Sequence, residues 1–580
     1  MRNFLKTMLA VICGFALVSM IGVFVMLGLL GTSMSKPAVS IKPNSVFKLE
    51  LNGVVQERSN ELSDYVGMFG QEGVAYIGLD DVLTAIETAS TNENIKGIYL
   101  KFGALSIEPA SVSEIRDALL RFKANGKFIV AYADNYSQSA YQIASVADEI
   151  YMNPEGILQI SGYSLQTVFI KDLLENIGLE MQVVKVGTYK SAVEPYILDK
   201  MSDANREQTL QMAHSLWNKF LTDVSSTRGI EISKLNEFAD KGMFLSEATQ
   251  SVNYGLIDVL AYECDIDEIL AIKTETDKKD LTLCSLKEVK TLPKNTDYQK
   301  NKIAVVYASG QIDGSNNNYE NIDSEKLSKQ LIKIADDENV KAVVLRVNSP
   351  GGSAFGSEQI WNALCKVKEA NKPLIVSMGG YAASGGYYIS CIADTIVAQP
   401  NTITGSIGIF GLIPNAKGLV DKLGLSFDGV KTNAMSNFGE LYRPMSADEL
   451  VMMQARINRG YELFVKRCAD GRSMSVDAIK AIAEGRVWTG EQAQKNGLVD
   501  VLGNLHDALA IAVEKSGVEE YEVVSYPEKK DFLTQLLEEL AGNQMQFSSL
   551  TDYEKRINVF HNLINGNAIQ ARMPYFLVIN

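Results

Sequence analysis

The hydrophobic pattern begins with one long apolar stretch near the N-terminus. Residues 7–35 carry no charge, and Met8–Leu30 is almost wholly apolar. This stretch is long enough to cross a hydrocarbon core of about 30 Å, whereas the apolar core of a cleaved signal peptide usually runs only about 7–15 residues. We therefore predict an uncleaved, single-pass anchor in contact with membrane lipid, with a cleaved leader ending near Ser33–Ser35 as the alternative. Arg2 and Lys6 precede the stretch, which favours a cytoplasmic N-terminus and places the remaining chain beyond the membrane.

From residue 45 onward, short apolar runs alternate with segments whose apolar positions recur at helical spacing. This alternation is typical of α/β domains with a mostly parallel, buried sheet. The predicted strands are Val46–Leu51, Gly97–Phe102 and Phe128–Tyr132, and the predicted helices are Asp80–Ala89, Ser111–Ala124 and Gln138–Ala147.

The same order of segments then recurs. Asn94–Lys101 is matched by Asn339–Arg346, and Asp148 and Asp394 stand in equivalent positions 246 residues apart. A repeat of this length indicates two tandem copies of one α/β domain. We call residues 45–276 the first copy and residues 302–526 the second copy.

Three further segments complete the predicted organisation. Residues 1–40 hold the cytoplasmic N-terminus and the anchor, and a polar, lysine-rich linker at about 277–301 joins the copies. Residues 527–580 form a tail outside the repeat. The tail contains a predicted amphipathic helix, Asp531–Leu540, and an apolar end, Pro574–Ile579, which we interpret as a docking segment.

Composition and charge exclude several classes of function. The net charge of −15 and the pI near 5.0 argue against a nucleic-acid-binding surface. The six cysteines show no CxxC spacing and the three histidines show no metal-ligand spacing, so neither a zinc site nor a metal hydrolase is indicated. A pairing of Cys264 with Cys284 stays open for an exported chain. A Ser–His–Asp triad would have to recruit one of the three isolated histidines, so the sequence favours another base for a serine nucleophile.

The candidate for such a nucleophile is Ser384. A predicted strand, Pro373–Val376, leads into the small-residue stretch Ser377–Cys391, and an apolar pattern at helical spacing follows. A serine followed by glycines at a strand-to-helix turn exposes its hydroxyl and leaves helix N–H groups free for a developing negative charge. The alternative is a tight packing turn built from Gly and Ala.

Comparison of the two copies shows that each lacks what the other has. Ser384 falls opposite Gln138, Ser406 falls opposite Ile160, and the glycine pair that begins at Gly351 has no counterpart in the first copy. Conversely, Lys190 of the first copy falls opposite Ser436. This complementarity predicts one composite site shared by the two copies. The alternative is that the sequences of surface loops in the two copies diverged independently and that Lys190 is an ordinary solvated lysine.

Four segments together resemble the signal peptide peptidase A family, in its long, duplicated, membrane-anchored form known as protease IV. They are Val347–Ser353, Gly380–Tyr387, Thr404–Gly408 and Tyr189–Pro195. The resemblance covers the anchor and both copies. It implies two tandem ClpP/crotonase-like domains, each a spiral of ββα units, after one N-terminal transmembrane helix.

The resemblance also implies roles for individual residues. Ser384 would be the nucleophile and Lys190 the general base, with Ser406 holding the lysine. The backbone N–H groups of Gly385 and Gly351 would form the oxyanion hole, and no metal or cofactor would be required.

For the whole protein, the resemblance implies a serine endopeptidase that degrades released signal peptides and other apolar peptides. It would be a homotetramer in the inner (cytoplasmic) membrane, with its catalytic domains on the periplasmic side. Two other functions stay open at this point. One is a crotonase-type acyl-CoA enzyme on the same fold, and the other is a membrane-anchored scaffold that has lost catalysis.

Overall fold

The computed structural model describes residues 40–59, 75–292, 300–314, 321–529 and 569–572, together with helical positions at 8, 14, 17 and 20. Most of the predicted anchor, Met8–Leu30, lies outside the described residues, as do the predicted tail segments Asp531–Leu540 and Pro574–Ile579. Within the described ranges, no helix combines the length and the apolar character that crossing a bilayer requires.

The strands of the N-terminal half form one parallel sheet and contribute one strand to another. Their bounds are β1 Ser45–Gln56, β2 Tyr76–Gly78, β3 Ile95–Ser106, β4 Phe128–Ala133, β5 Glu149–Met152, β6 Glu180–Val186, β7 Val259–Leu260 and β8 Leu283–Ser285. The first sheet has the order β2-β1-β3-β4-β5-β7, with β8 also paired to β1. All of its strand pairs are parallel, as the βαβ alternation predicts.

The strands of the C-terminal half build a second sheet on the same plan. Their bounds are β9 Lys302–Ser309, β10 Gln311–Ile312, β11 Asn321–Ile322, β12 Val340–Ser349, β13 Gly351–Ser353, β14 Leu374–Ala383, β15 Thr395–Ala398, β16 Ile403–Gly405, β17 Ile409–Asn415, β18 Val487–Thr489, β19 Val501–Leu502, β20 Glu522–Tyr526 and β21 Ile569–Arg572. The second sheet runs β18-β16-β14-β12-β9-β20, and β15 joins β14 to β19. Only the β16–β18 pair in this sheet is antiparallel among the strands described.

The lysine-rich segment at 277–301 is not simply a linker, which corrects the sequence interpretation. Leu283–Ser285 pairs in parallel with β1, just as Glu522–Tyr526 pairs in parallel with β9. The first sheet therefore continues past residue 276. This strand is only three residues long and has charged segments on both sides, so the hydrophobicity pattern does not reveal it.

A third sheet joins the two copies, with the order β11-β10-β13-β21-β17-β6. Strand β6 of the first copy and β17 of the second pair antiparallel along their length, from Ile409 opposite Val186 to Asn415 opposite Glu180. This ladder fixes the first copy's segment after Val186 against the second copy.

Helices cover the sheets and bury one face each. In the N-terminal half they are α1 Leu79–Thr91, α2 Pro109–Ala124, α3 Gln138–Ala144, α4 Lys171–Ile177, α5 Glu194–Ile197, α6 Asp203–Arg228, α7 Ile232–Asp240, α8 Thr249–Asn253, α9 Glu263–Lys273 and α10 Leu286–Lys290. In the C-terminal half they are α11 Ser324–Asp336, α12 Ala354–Glu369, α13 Gly385–Ser390, α14 Lys417–Lys422, α15 Ala447–Arg472, α16 Val476–Ile482, α17 Gly490–Lys495 and α18 Leu505–Ser516. Each copy has its own large apolar core between sheet and helices.

The strand predicted at Pro373–Val376 is much longer than the apolar run suggests. It begins at Leu374 and continues through the small residues to Ala383, buried along its whole length. A Cβ on Gly379 would displace the carboxylate of Glu57, and a Cβ on Gly380 would displace that of Glu108, both from the first copy. Small side chains that look like a turn in the sequence thus serve close packing between the copies.

Cys264 and Cys284 are not paired. Cys284 is buried, with its thiol directed at the carbonyl oxygen of Val46, 3.4 Å away, whereas Cys264 is exposed on the surface.

Candidate active site

Three neighbouring strands of the second sheet end at one place. Ser349 at the end of β12 lies beside Ala382 of β14, and Ala383 lies beside Gly405 at the end of β16. The residues that follow these strand ends are therefore neighbours. Gly351, Ser384 and Ser406, three of the residues singled out from the sequence, all lie at this edge.

Ser384 occupies a strained turn between β14 and α13. Its backbone has φ +57° and ψ −113°, a conformation that non-glycine residues rarely adopt. Holding a residue in this backbone conformation costs about 1–3 kcal/mol of folding free energy, and the conformation persists only where the surrounding structure enforces it. Here the Ser384 amide donates to the Gly405 carbonyl at 2.8 Å. Although Ser384 is the N-cap residue of α13, its hydroxyl makes no capping hydrogen bond and is directed elsewhere.

Lys190 of the same chain reaches that hydroxyl. The residue follows β6 by four positions, and the β6–β17 ladder carries it across to the second copy. Its Nζ donates to the Ser384 Oγ at 2.7 Å, to the Ser406 carbonyl oxygen at 3.0 Å and to the Ser406 Oγ at 3.1 Å. The composite arrangement of one lysine from the first copy and two serines from the second is thus present within a single chain.

The three side chains are completely shielded from solvent, each with 0% of its surface exposed. Burial holds the pKa of Lys190 well below its ordinary value, because the ammonium form loses its hydration. The three oxygens around its Nζ belong to hydroxyls and a carbonyl, so no anionic partner offsets that loss. The site therefore favours a neutral amine next to a serine hydroxyl.

The second copy also covers the loop that carries Lys190. The Tyr189 amide donates to the Glu484 carbonyl at 2.8 Å, and Gly485 packs so closely on Lys190 that a Cβ there would lie 2.6 Å from the lysine Cβ. From the first copy, the Gln208 side-chain amide donates to the Tyr189 carbonyl and to the Ser191 hydroxyl, both at 3.0 Å. Residues 484–486 of the second copy therefore shield the Lys190 loop, and nothing in the sequence marks them for this role.

The two glycines predicted as oxyanion donors lie side by side. Gly351 has φ +97°, and a Cβ on it would come within 2.7 Å of the Gly385 amide nitrogen. Gly385 is the first residue of α13, where a backbone N–H has no acceptor within its own helix. The Gly351 amide donates to the Ser349 hydroxyl at 3.2 Å.

A buried ionic cluster between the two copies was missed by sequence reasoning. Arg346 of β12 donates to both carboxylate oxygens of Glu57, at 2.8 and 3.0 Å, and forms an ion pair with Glu114 at 2.7 Å. Both glutamates belong to the first copy. Burial, with a contribution from Glu57, raises the pKa of Glu114 to about 7, although Arg346 opposes the shift. Nothing in the sequence marks Arg346, because the repeat aligns it with Lys101, another basic residue at the end of the same motif.

Comparison with known proteins agrees with this architecture. The model of peptidase family S49 matches residues 121–276 and again residues 366–519, one match in each copy. The model described as Clp protease matches residues 296–403. The chain is therefore a serine protease with tandem ClpP-like domains, and it belongs to peptidase family S49. This assignment disfavours the crotonase-type alternative.

Individual relatives match over most of the chain. Protease 4 of Salmonella typhi is 35% identical over 513 residues, which cover 85% of this chain and 82% of the relative. Protease 4 of Haemophilus influenzae is 34% identical, covering 82% of this chain and 80% of the relative. Serine protease SPPA, chloroplastic, of Arabidopsis thaliana is 30% identical, covering 84% and 72%.

Proposed function

We propose that the chain is an endopeptidase that uses a Ser384–Lys190 dyad to degrade signal peptides left in the membrane. The observation that carries the proposal is the 2.7 Å hydrogen bond between a buried lysine and a serine held at φ +57°. A serine hydroxyl is a weak nucleophile until a neighbouring base takes its proton. An ordinary lysine, with a pKa of about 10.4, is neutral in fewer than about one molecule in a thousand at pH 7. The lowered pKa of Lys190 raises that fraction.

In the proposed mechanism, neutral Lys190 takes the Ser384 proton as the serine oxygen attacks the scissile carbonyl carbon. The oxyanion that forms accepts hydrogen bonds from the Gly385 and Gly351 amides, each worth very roughly 3 kcal/mol. The protonated lysine then donates its proton to the leaving amine. A water molecule, activated by the same lysine, hydrolyses the acyl-enzyme and restores both groups. Ser406 acts as a positioning residue, since its two oxygens fix the lysine Nζ.

We further propose that the enzyme is a homotetramer anchored in the inner membrane through residues 8–30, with both copies on the extracytoplasmic side. The uncharged stretch from residue 7 to residue 35 supports the anchor. A released signal peptide is an apolar segment within the bilayer, and an anchored protease would meet it there. The substrate class and the tetramer are also supported by the family resemblance of the four motifs.

A serine-directed fluorophosphonate probe tests the dyad. We expect it to label Ser384 in the full chain and to fail in Ser384→Ala and Lys190→Ala. For a fluorogenic signal-peptide-like substrate, kcat/KM should fall by about 10⁴-fold or more in either variant, and the double variant should be no worse, because the two residues act as a unit. Lys185→Ala is the matched control, since this lysine lies on β6, five residues before Lys190, and should retain activity. Unchanged turnover by Ser384→Ala would contradict the proposal.

A further inference from the structure

One glutamine side chain of the first copy connects the backbone around Lys190 to the second copy. Gln208 lies on α6, and only 2% of its surface is exposed. Its Nε2 donates to the Tyr189 carbonyl and to the Ser191 hydroxyl, both at 3.0 Å. Its Oε1 accepts from the Val487 amide of the second copy at 3.1 Å. Because Tyr189 and Ser191 are the two neighbours of Lys190, the Gln208 amide holds the chain on both sides of that lysine.

The contact with Val487 continues to the two serines of the site. Val487 belongs to β18 and lies opposite Gly405, the last residue of β16. The Gly405 carbonyl accepts the Ser384 amide at 2.8 Å, and Ser406 is the next residue along the chain. The hydrogen bonds of the Gln208 side chain therefore reach the nucleophile through a single pair of strands.

A side-chain amide is suited to these partners because it both donates and accepts. The Tyr189 carbonyl requires a donor and the Val487 amide requires an acceptor, and both are backbone groups of fixed polarity. Glutamine carries both functions at its tip, whereas an ionised glutamate only accepts, a lysine only donates and a leucine does neither. A buried backbone group that loses its partner is destabilising. Gln208 therefore favours one position of the Lys190 loop relative to the second copy.

The charged side chains around this loop have partners of their own. Glu194 accepts from Ser202 and Asn205, Glu484 accepts from the Thr188 amide, and Arg486 pairs with Glu207 and lies over the Tyr189 ring. Burial, rather than a neighbouring charge, lowers the pKa of Lys190. The contacts that keep water away from the Lys190 amine therefore also keep it neutral.

We propose that Gln208 is a positioning residue that fixes Lys190 against Ser384 and Ser406 and excludes water from the lysine amine. This inference rests on the proposed function, in which Lys190 is the base. Gln208 bonds to the neighbours of the lysine rather than to its Nζ, so it acts through the backbone on both sides of Lys190. Its loss should therefore lower kcat, which depends on the lysine, and leave KM nearly unchanged.

Gln208→Leu in the full chain tests this role through the pH profile. The substitution keeps a similar volume but removes the donor and the acceptor, so water should enter and the pKa of Lys190 should rise towards its ordinary value. We expect kcat for the fluorogenic peptide to fall by about 10- to 100-fold at pH 7, as for other misplaced catalytic groups. The acidic limb should move to higher pH, and the loss should shrink as pH rises. An unchanged kcat, or a loss of the same size at every pH, would overturn the proposal.

Gln208→Glu adds a second test, because a carboxylate keeps an acceptor for Val487 but places a negative charge beside the lysine loop. The ammonium form should be favoured further, so the acidic limb should move to higher pH than in Gln208→Leu. A limb below that of the wild-type chain would contradict the proposal.

Gln142→Leu is the matched control. Gln142 is a similarly buried glutamine, with 3% of its surface exposed, and its Nε2 donates to Asp223 within the first copy at 2.8 Å. Its substitution should lower stability without moving the acidic limb. Equal movement of the limb in Gln142→Leu and Gln208→Leu would mean that the loss of any buried amide has this effect, and the specific role of Gln208 would be wrong.

Hydrogen exchange separates this inference from the proposed function. Peptides that cover residues 187–193 and 485–489 are followed by mass spectrometry in the wild-type chain and in the two leucine variants. Gln208→Leu should speed amide exchange several-fold in both segments, whether or not the chain hydrolyses anything, and Gln142→Leu should not. Unchanged exchange in Gln208→Leu would rule out the positioning role. Absence of hydrolysis and of fluorophosphonate labelling in every chain would instead count against the dyad.

Discussion

Two serines at equivalent turns of the two copies use their hydroxyls in opposite ways. Ser137 precedes α3 with φ −69° and ψ 161°, and its hydroxyl accepts a hydrogen bond from the Ala140 amide at 3.3 Å. Ser384 precedes α13 with φ +57° and ψ −113°, makes no such bond, and accepts one from Lys190 instead. The first serine stabilises its own helix, while the second leaves its helix uncapped and faces the other copy. The local backbone decides between the two uses.

The difference arises in how the preceding strand ends. In the first copy β4 stops at Ala133, the chain bends at residues 134 and 135, and Ser137 itself is extended at the cap. In the second copy β14 continues to Ala383, so the whole reversal into α13 takes place at Ser384. Alignment by a constant offset therefore pairs Ser384 with Gln138, although the residue with the same place in the fold is Ser137.

A second pair of equivalent positions differs in the same sense. Lys101 forms an ion pair with Glu263 of its own copy at 2.5 Å, and 23% of the lysine side chain is exposed. Arg346 has only 1% of its side chain exposed and pairs with Glu57 and Glu114 of the other copy. In both comparisons the polar residue of the first copy bonds within its own copy, whereas the equivalent residue of the second copy contacts the first copy.

Substitution of Arg346 by leucine should have the largest effect on stability. Two buried carboxylates would lose their counter-ion, and breaking such a cluster costs about 3–5 kcal/mol. Lys101→Leu should cost less than about 1 kcal/mol, because its pair is partly solvated. The free energy of unfolding, measured by urea denaturation, checks both variants.

The Arg346 effect should also depend on pH. A carboxyl group whose pKa is raised in the folded state binds protons more readily there than in the unfolded chain, so its unfavourable contribution grows as pH rises through that pKa. With the pKa of Glu114 already raised to about 7, the loss in Arg346→Leu should be larger at pH 8 than at pH 5.5. Equal losses for Arg346 and Lys101 would contradict the contrast between the copies.

Ser406 should show a smaller effect, on activity. Its counterpart by sequence offset is Ile160, a fully buried apolar residue with no role at the site. Ser406→Ala removes one hydrogen-bond acceptor of Lys190, and we expect kcat/KM to fall on the order of 5–150-fold, equivalent to about 1–3 kcal/mol. The acidic limb of the pH profile should move to lower pH, because the ammonium form loses an acceptor. An unmoved limb would mean that Ser406 acts only on the fold, and Ile160→Val should leave the limb unchanged.

The two turn serines should give the smallest and most direct contrast in stability. Ser137→Ala removes a helix cap and should lower the free energy of unfolding by about 1 kcal/mol while activity persists. Ser384→Ala removes no cap and should leave stability nearly unchanged while hydrolysis is lost. Thermal denaturation measures the stability of the two variants, and the fluorogenic assay measures their activity.

The alternation of apolar runs predicts the α/β class and the bounds of several elements, since β3, β4, α1 and α2 lie within a few residues of their predicted places. The complementarity of the copies brings Ser384 and Lys190 to notice before their distance is known. Other features depend on contacts that no local pattern encodes. Arg346 acquires its role from two distant glutamates. Strand β21 joins β13 and β17 although it lies some 150–220 residues farther along the chain. A period-2 or helical pattern reports one buried face but does not identify the surface that covers it.

The β6–β17 ladder has a consequence for how the protein is made. Domains generally fold from the N-terminus onward during synthesis, so the first copy emerges with Lys190 but without a serine for it to contact. The partners of its Nζ, Ser384 and Ser406, follow about two hundred residues later, and the covering residues 484–486 later still. A chain that ends before residue 384 therefore contains no complete pair. Under the proposed mechanism, the chain would become active only when its second half has folded onto the first.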